Sequence, residues 1–302
     1  TAGVAAPRLF DAIEAQLPQR VLEFSLQDVA NVGWAFATAG MVAPRLFEAI
    51  ASHFSLRISE FNAQELANVA WAFACVGWRH GAIFQRLGAA IAPRIRELHE
   101  SAQSQLYLAT LSVQLEFPDS QFPLTPHLAE LRAAYTRLEP RPSRLQRDVS
   151  AMLRSLQWPH ATEHVTEEGF SLDIAQPSEK RGILVHGPSH YLLDVASGDW
   201  VVGGPTLFTS RLLAALGWHL VDVSFFDWDD RSDAERRLVL ASKLATFGLG
   251  ARSSSSSSSS EGGAGTPHSA AATPPLSAAP TTSTAGLVPP SAENPASSSP
   301  SS

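Results

Sequence analysis

The sequence predicts an α + α/β protein: an N-terminal α-solenoid of stacked helix pairs, a C-terminal α/β domain and a disordered C-terminal tail. Three observations carry this. A block of apolar residues recurs at a fixed offset, helical spacing gives way to mixed strand and helix patterns beyond Thr162, and the chain from Arg252 onward is almost wholly Ser, Pro, Ala, Thr and Gly. The boundaries follow as 1–140 for the repeats, 141–161 for a connecting helix and linker, 162–247 for the α/β domain and 248–302 for the tail.

The repeat is legible residue by residue. Phe24, Asn31, Trp34, Phe36 and Gly40 recur as Phe61, Asn68, Trp71, Phe73 and Gly77, each pair 37 residues apart. The same offset carries "GVAAPRLFDAI" onto "GMVAPRLFEAI". Two independent blocks with one period define a true repeat. Ser25 with Asp28, and Asn62 with Glu65, are capping-box pairs able to satisfy the first free amides of a helix. Phe24 and Phe61 precede those caps as staples, and Gly40 and Gly77 suit the left-handed turn that ends a helix. A second helix then opens with Pro44 in its first turn and carries Phe47, Ile50 and Phe54 on one face.

Within "LANVAWAFACVG", Leu66, Val69, Ala70 and Phe73 form one helical stripe while Ala67, Trp71, Ala74 and Trp78 form another. A helix apolar nearly all round needs neighbours on both sides, which stacked copies supply. A third, degenerate unit is expected over Ser101–Leu115 and Thr125–Leu138, with Thr125 as a cap. "SRLQRDVSAMLRSL" offers one more capped helix.

The segments "FSLDIA", "GILVHG" and "WHLVDVSFF" are expected strands, and "PTLFTSRLLAALG" and "DAERRLVLASKLATF" expected helices. The tail, with its unbroken run Ser253–Ser260, cannot bury enough apolar surface to offset its ordering entropy. The single cysteine, Cys75, excludes an intramolecular disulfide or a Cys-rich zinc site. No apolar run reaches the roughly 18 residues of a membrane span, so no membrane partner is expected. The chain opens at Thr1, without Met and partway through a unit, as a piece of a longer chain would.

Residues Gly182–Trp228 closely resemble the RAP domain, a C-terminal module of organellar RNA-metabolism proteins that include the Fas-activated serine/threonine kinase family. The matching pieces are Gly187-Pro188-Ser189-His190-Tyr191, Gly204-Pro205-Thr206, Arg211, Leu216-Gly217-Trp218 and Phe226-Asp227-Trp228. The repeat "ELANVAWAFA" is similar to the octotricopeptide repeat, a helix-pair unit that often precedes a RAP domain. The resemblance implies a restriction-endonuclease-like fold for the second domain and single-stranded RNA as partner, at about one nucleotide per unit. It also implies a mitochondrial or chloroplast setting, other organellar RNA-processing proteins as partners, and a role in transcript stability, processing or translation.

Nuclease chemistry in that fold needs carboxylates from adjacent strands around a hard metal. Asp173 suits the first strand, but where the RAP pattern carries acids on the next strand this chain has Leu184 and His186, and Leu cannot ligate Mg. The expectation is a non-catalytic domain with no metal and no cofactor. Asp173 is the one catalytic candidate, and its alternative role is a structural hydrogen-bond acceptor. Ser189 beside His190 has neither oxyanion hole nor orienting acid, and Gly187-Pro188 prevents His186 and His190 from sharing a helix face.

Gly203-Gly204-Pro205-Thr206 opens a helix, where free amides and the dipole attract an anion; Gly204 and Thr206 with Arg211 form the phosphate candidate. Asn31 and Asn68 keep one identity in both units, as a structural contact would. Residues 166–250 hold seven Lys and Arg against twelve Asp and Glu, a net of −5. The α/β domain therefore lacks a basic stripe. The candidate RNA-binding arginines lie on the helices: Arg45, Arg79 and Arg86 foremost, then Arg57, Arg94 and Arg96, with Arg141, Arg144, Arg147 and Arg154 on or beside the connecting helix. Two other readings remain: a protein-interaction scaffold, from the acidic second domain, and a metal-dependent endoribonuclease centred on Asp173.

Overall fold

The structure, a computed structural model, describes residues 3–78, 81–118, 122–137 and 142–253. The helices α1 (Pro7–Arg20), α3 (Pro44–Arg57) and α5 (Gly81–Ile91) start 37 residues apart, as do α2 (Leu26–Thr38), α4 (Ala63–Cys75) and α6 (Glu100–Glu116). Local chemistry sets these limits. The Ser25 hydroxyl accepts from the Asp28 amide and Asn62 Oδ1 from the Glu65 amide, each reciprocated by the acidic side chain. Gly40 and Gly77 turn left-handed (φ +71° and +67°), letting Met41 N–H reach Phe36 O and Trp78 N–H reach Phe73 O. This double closure satisfies the last carbonyls of each helix.

The third unit has lost most of this signature yet keeps its period. His99 Nδ1 stands in for the cap, accepting from Ser101 N–H. The pairs Arg20–Glu23, Arg57–Glu60 and Arg94–Glu97 repeat at the same offset through all three units. Thr125 does not cap: Thr125–His127 form a 3-10 turn, and α7 (Leu128–Tyr135) begins after it without a side-chain cap. Pro126 prefers that tight turn because its ring fixes φ there and it lacks an amide to donate.

Helix α4 is flanked by α2 on one side and α6 on the other, so every residue from Leu66 to Cys75 is buried. Trp34 and Trp71 occupy equivalent places in successive units, ring centroids 6.1 Å apart. Phe47 meets Phe73 edge-on at 5.4 Å and Phe54 meets Phe61 at 5.5 Å, tying each second helix to the next unit.

After α8 (Arg144–Ser155), β2 (Ala161–Val165), β3 (Ser171–Gln176), β4 (Arg181–His186) and β7 (His219–Ser224) form one sheet in that order. The first two pairings are antiparallel and β4–β7 is parallel. Helix α9 (Gly204–Ala215) makes the crossover to β7, and α10 (Asp233–Ser253) closes the domain, running six residues past Phe247, where the sequence pattern ends it. The rest of the expected tail, 254–302, lies outside the described residues.

A second, small sheet has the order β1 (Gly3–Ala5), β5 (Tyr191–Asp194), β6 (Trp200–Val202). Its β1 comes from the opening repeat segment and pairs parallel to β5. The strands β2, β5 and β6 are not apparent in the sequence pattern: each is short, and β2 reads "ATEHV", with no apolar alternation.

The main sheet is covered on both faces, as its continuous apolar β4 requires. Ile174, Ile183, Val185, Val221 and Val223 pack with Val149 and Leu153 of α8 and Leu240 and Phe247 of α10. Leu172, Ala175 and Leu184 join Phe208, Leu212 and Leu213 of α9 in a core continuous with that of the helix pairs. The expected division between repeats and α/β domain is therefore not a boundary in packing.

Candidate functional site

Asp173 sits mid-strand on β3 and is part-buried. Its Oδ2 accepts from the Val185 amide at 2.8 Å, bridging to β4 where the backbone ladder is interrupted. Burial raises its pKa to about 7, with the Val185 hydrogen bond opposing. On β4, Leu184 is buried and His186 wholly so, its Nε2 lying 3.4 Å from Asp222 Oδ1 on β7. Among the described residues no group of three or more His, Cys, Asp or Glu is placed to hold a metal ion. His190 is in a 3-10 turn and its carbonyl accepts from the Gly203 amide at 3.1 Å, linking that turn to the start of α9.

The phosphate candidate is corrected by its surroundings. Helix α9 lies across the C-terminal ends of α2, α4 and α6, and its first turn faces helix ends, not solvent. A Cβ at Gly204 would lie 1.7 Å from Ala37 O and 3.1 Å from the Gly40 amide. Thr206 is buried and its amide donates to Gly203 O; Pro205 has no amide. The positive end of α9 thus meets the negative end of α2, which takes the place an anion would fill.

Arg211, two turns along, serves α4 and α6 in the same way. Its Nη1 donates to Cys75 O at 2.9 Å, its Nη2 to Ala74 O, and its Nε to Glu116 Oε1 at 2.5 Å. Seven residues of helix rise about 10 Å, close to the spacing of packed helices. Gly204 and Arg211 are therefore in step with neighbouring repeats. Gly204 and Arg211 serve this junction, and Thr206 is buried in the first turn of α9.

The arginines on the helices divide. Arg86 Nη2 donates to Ser55 O at 2.6 Å, fastening one unit to the next, and Arg94 Nη1 donates to Phe61 O at 2.8 Å, tying the end of a unit back to its start. Arg86 is nevertheless exposed, so this contact uses only part of its guanidinium. Arg45 is exposed in a groove of about 610 Å³ between α1 and α3, beside Glu14, Glu48 and Trp78. Arg79 and Arg141 lie outside the described residues. Asn68 is buried and accepts from Gln64 Nε2 at 2.9 Å, a structural contact; Asn31, its counterpart, is exposed.

Helix α8 is strongly two-faced. Val149 and Leu153 bury against the sheet, while Arg144, Arg147 and Arg154 are exposed. Arg147 and Arg154 border a groove of about 280 Å³ with Ser150 and Thr162. Ser150 Oγ lies 2.8 Å from His160 Nε2, whose Nδ1 is 2.8 Å from Trp158 O. The Trp158 carbonyl can only accept, so Nδ1 carries the proton and Nε2 accepts from the hydroxyl. Ser150 is mid-helix with its amide committed to the helix, so no oxyanion donors adjoin it, and the pair ties α8 to the β2 approach.

Residues 183–243 match the RAP domain. A protein of Oryza sativa subsp. japonica described as "RAP domain-containing protein, chloroplastic" is 30% identical over 133 residues, covering 42% of this chain and 20% of the relative. The chain thus spans about a fifth of that relative's length. The junction residues Gly204 and Arg211 lie within the RAP domain, as do Thr206, His186 and the sheet edge at β7.

The RAP domain holds one polar cluster the sequence analysis overlooks. Asp222 on β7 is buried, and burial raises its pKa to about 8, with Lys243 opposing. Lys243 Nζ lies 3.1 Å from Asp227 Oδ2. The available signal was an acid inside "HLVDVS", an otherwise apolar strand. Among the described residues, no helix is long and apolar enough to cross a membrane.

Proposed function

We propose that the chain is a non-catalytic RNA-binding protein of an organelle, in which an α-solenoid of octotricopeptide-like units and a RAP domain of restriction-endonuclease-like fold act as one body on single-stranded RNA. The observation that carries it is the junction: a 37-residue helix-pair repeat runs into a domain matching RAP, and α9 of that domain binds the ends of three successive units. The order of the main-sheet elements, α8-β2-β3-β4-α9-β7 with β5 and β6 inserted before α9, suits the nuclease-like fold. A non-catalytic role is supported by Asp173, whose carboxylate is held by the Val185 amide opposite a strand bearing Leu184 and His186. The chloroplast relative supports an organellar setting; RNA stability, processing or translation as the outcome rests on the resemblance to the RAP domain.

The exposed arginines of α8, with Arg45, Arg86 and Arg96, are surfaces open to phosphate, although Arg86 and Arg147 each also donate to a backbone carbonyl; Arg94 and Arg211 are more buried and bind carbonyls. Binding of single-stranded RNA should weaken with salt, and Arg147→Ala with Arg154→Ala should flatten the dependence by about one to two counterions. Filter binding over a salt series measures both. No binding at low salt rejects the proposal. Long incubation of RNA with Mg or Mn tests the nuclease alternative: cleavage abolished by chelator and by Asp173→Ala would replace the non-catalytic reading.

One observation favours a scaffold role beside RNA binding. Val195, Trp200, Val201 and Phe226 are exposed, with Trp200 and Phe226 rings 5.9 Å apart, in a domain of net negative charge. Protein capture that survives ribonuclease and is lost in Trp200→Ser is the outcome that reading expects.

A further inference from the structure

We propose that the groove along the free edge of β7 receives one base of an RNA strand and selects guanine; this rests on the RNA-binding function proposed above. The groove, of about 420 Å³, runs between α9 and α10 over an edge strand. His219 N–H donates to Lys180 O at 2.7 Å on the β4 side. Since successive residues of a strand point their backbone groups to opposite sides, those of Leu220 and Asp222 point out over the free edge. An edge recessed between two helices cannot take the hydration of an open one, and its donors and acceptors call for a ligand or ordered water.

The side chains there are chosen for a planar heterocycle more than for phosphate. Trp218 forms an apolar wall, and Ser210 and Thr246 present hydroxyl oxygens whose protons go to Thr206 O and Lys243 O. Among the described residues the Asp222 carboxyl meets His186 Nε2 in a long 3.4 Å contact at Oδ1, so acceptor capacity remains. Lys243 stands nearby, held by Asp227. With its lysine already paired to Asp227, the cluster offers little positive charge to a phosphodiester. A carboxylate does match guanine, whose N1–H and exocyclic N2–H₂ are adjacent donors, while O6 accepts from an ammonium. Adenine, cytosine and uracil each offer a single donor group on that edge. Using the pairing edge restricts the ligand to unpaired RNA.

Isothermal titration of the full chain with GMP, AMP, CMP and UMP tests this, at about pH 8.5 so that Asp222, facing His186, Lys243 and Asp227, is ionised. GMP should bind about tenfold tighter than the other three, as a bidentate base contact provides. Asp222→Asn and Lys243→Met should each weaken GMP by about tenfold. Ala214→Phe, on the exposed wall of α9, should block the groove without touching either ion pair. Equal binding of all four nucleotides, or GMP binding kept in folded Asp222→Asn and Ala214→Phe, overturns the assignment. A twelve-residue RNA lacking G, titrated in parallel at low salt, separates the two claims. Strand binding without GMP preference overturns the groove alone, whereas GMP preference without strand binding overturns the RNA-binding function.

Discussion

Gly204 shows how much a single side chain can decide. Any Cβ there would overlap Ala37 O, and both partners are backbone, so neither can swing away. Gly204→Ala is expected to cost about 3 kcal/mol as an overpacking defect, seen as a lowered Tm by circular dichroism. An unchanged Tm would mean that α9 does not seat against α2. Asp173 is the second case. Its folded pKa of about 7 lies above the unfolded value of 3.8, so the folded state holds more protons between the two. Stability therefore falls as pH rises through that window and levels off above it. Asp173→Asn keeps an acceptor for the Val185 amide and removes the ionisation. Urea melts across the window should show the variant gaining on wild type as pH rises and the difference flattening beyond pH 7. Asp173 was legible in "FSLDIA" as a strand acid, but its bond to Val185 was not, because Val185 is 12 residues on and across a hairpin.

At the scale of elements, the helix-pair units were readable because caps, closing glycines and apolar spacing all act within a few residues of one another. The third unit was harder: Leu98, His99 and Ala102 replace Phe, a capping residue and an acid, and only position and the Arg94–Glu97 pair preserve the period. Helix α9 was expected as a helix and misjudged as an anion site. Arg211 joins two elements at once, and its loss would leave Glu116, with its side chain only 10% exposed, without a counter-charge. Arg211→Met should destabilise by about 3 kcal/mol. In a double-mutant cycle with Glu116→Gln the two losses should be strongly non-additive, as measured by urea denaturation. Additive losses would show that the pair does not couple α9 to α6. Arg211→Lys should rescue little, since one ammonium cannot match a planar fork reaching two carbonyls and a carboxylate.

Across the whole molecule, repeats and RAP domain share one core. Phe170, Leu172, Leu184, Phe208, Leu212 and Leu213 are buried in the cluster that also holds the repeat aromatics. Residues 142–253 expressed alone would expose that face, and should show helical far-ultraviolet dichroism with weak near-ultraviolet signal and rapid proteolysis. Residues 1–253 should unfold in one transition; two separated transitions would indicate independent domains. The sequence by itself determined the period, the limits of most helices, the change to an α/β pattern and the RAP resemblance, since each rests on residues close along the chain. Only the tertiary structure decided what the polar groups do. Arg211 finds its acceptors 95, 136 and 137 positions away, and whether such a donor meets a carbonyl or solvent depends on which distant helix ends the fold brings within about 3 Å.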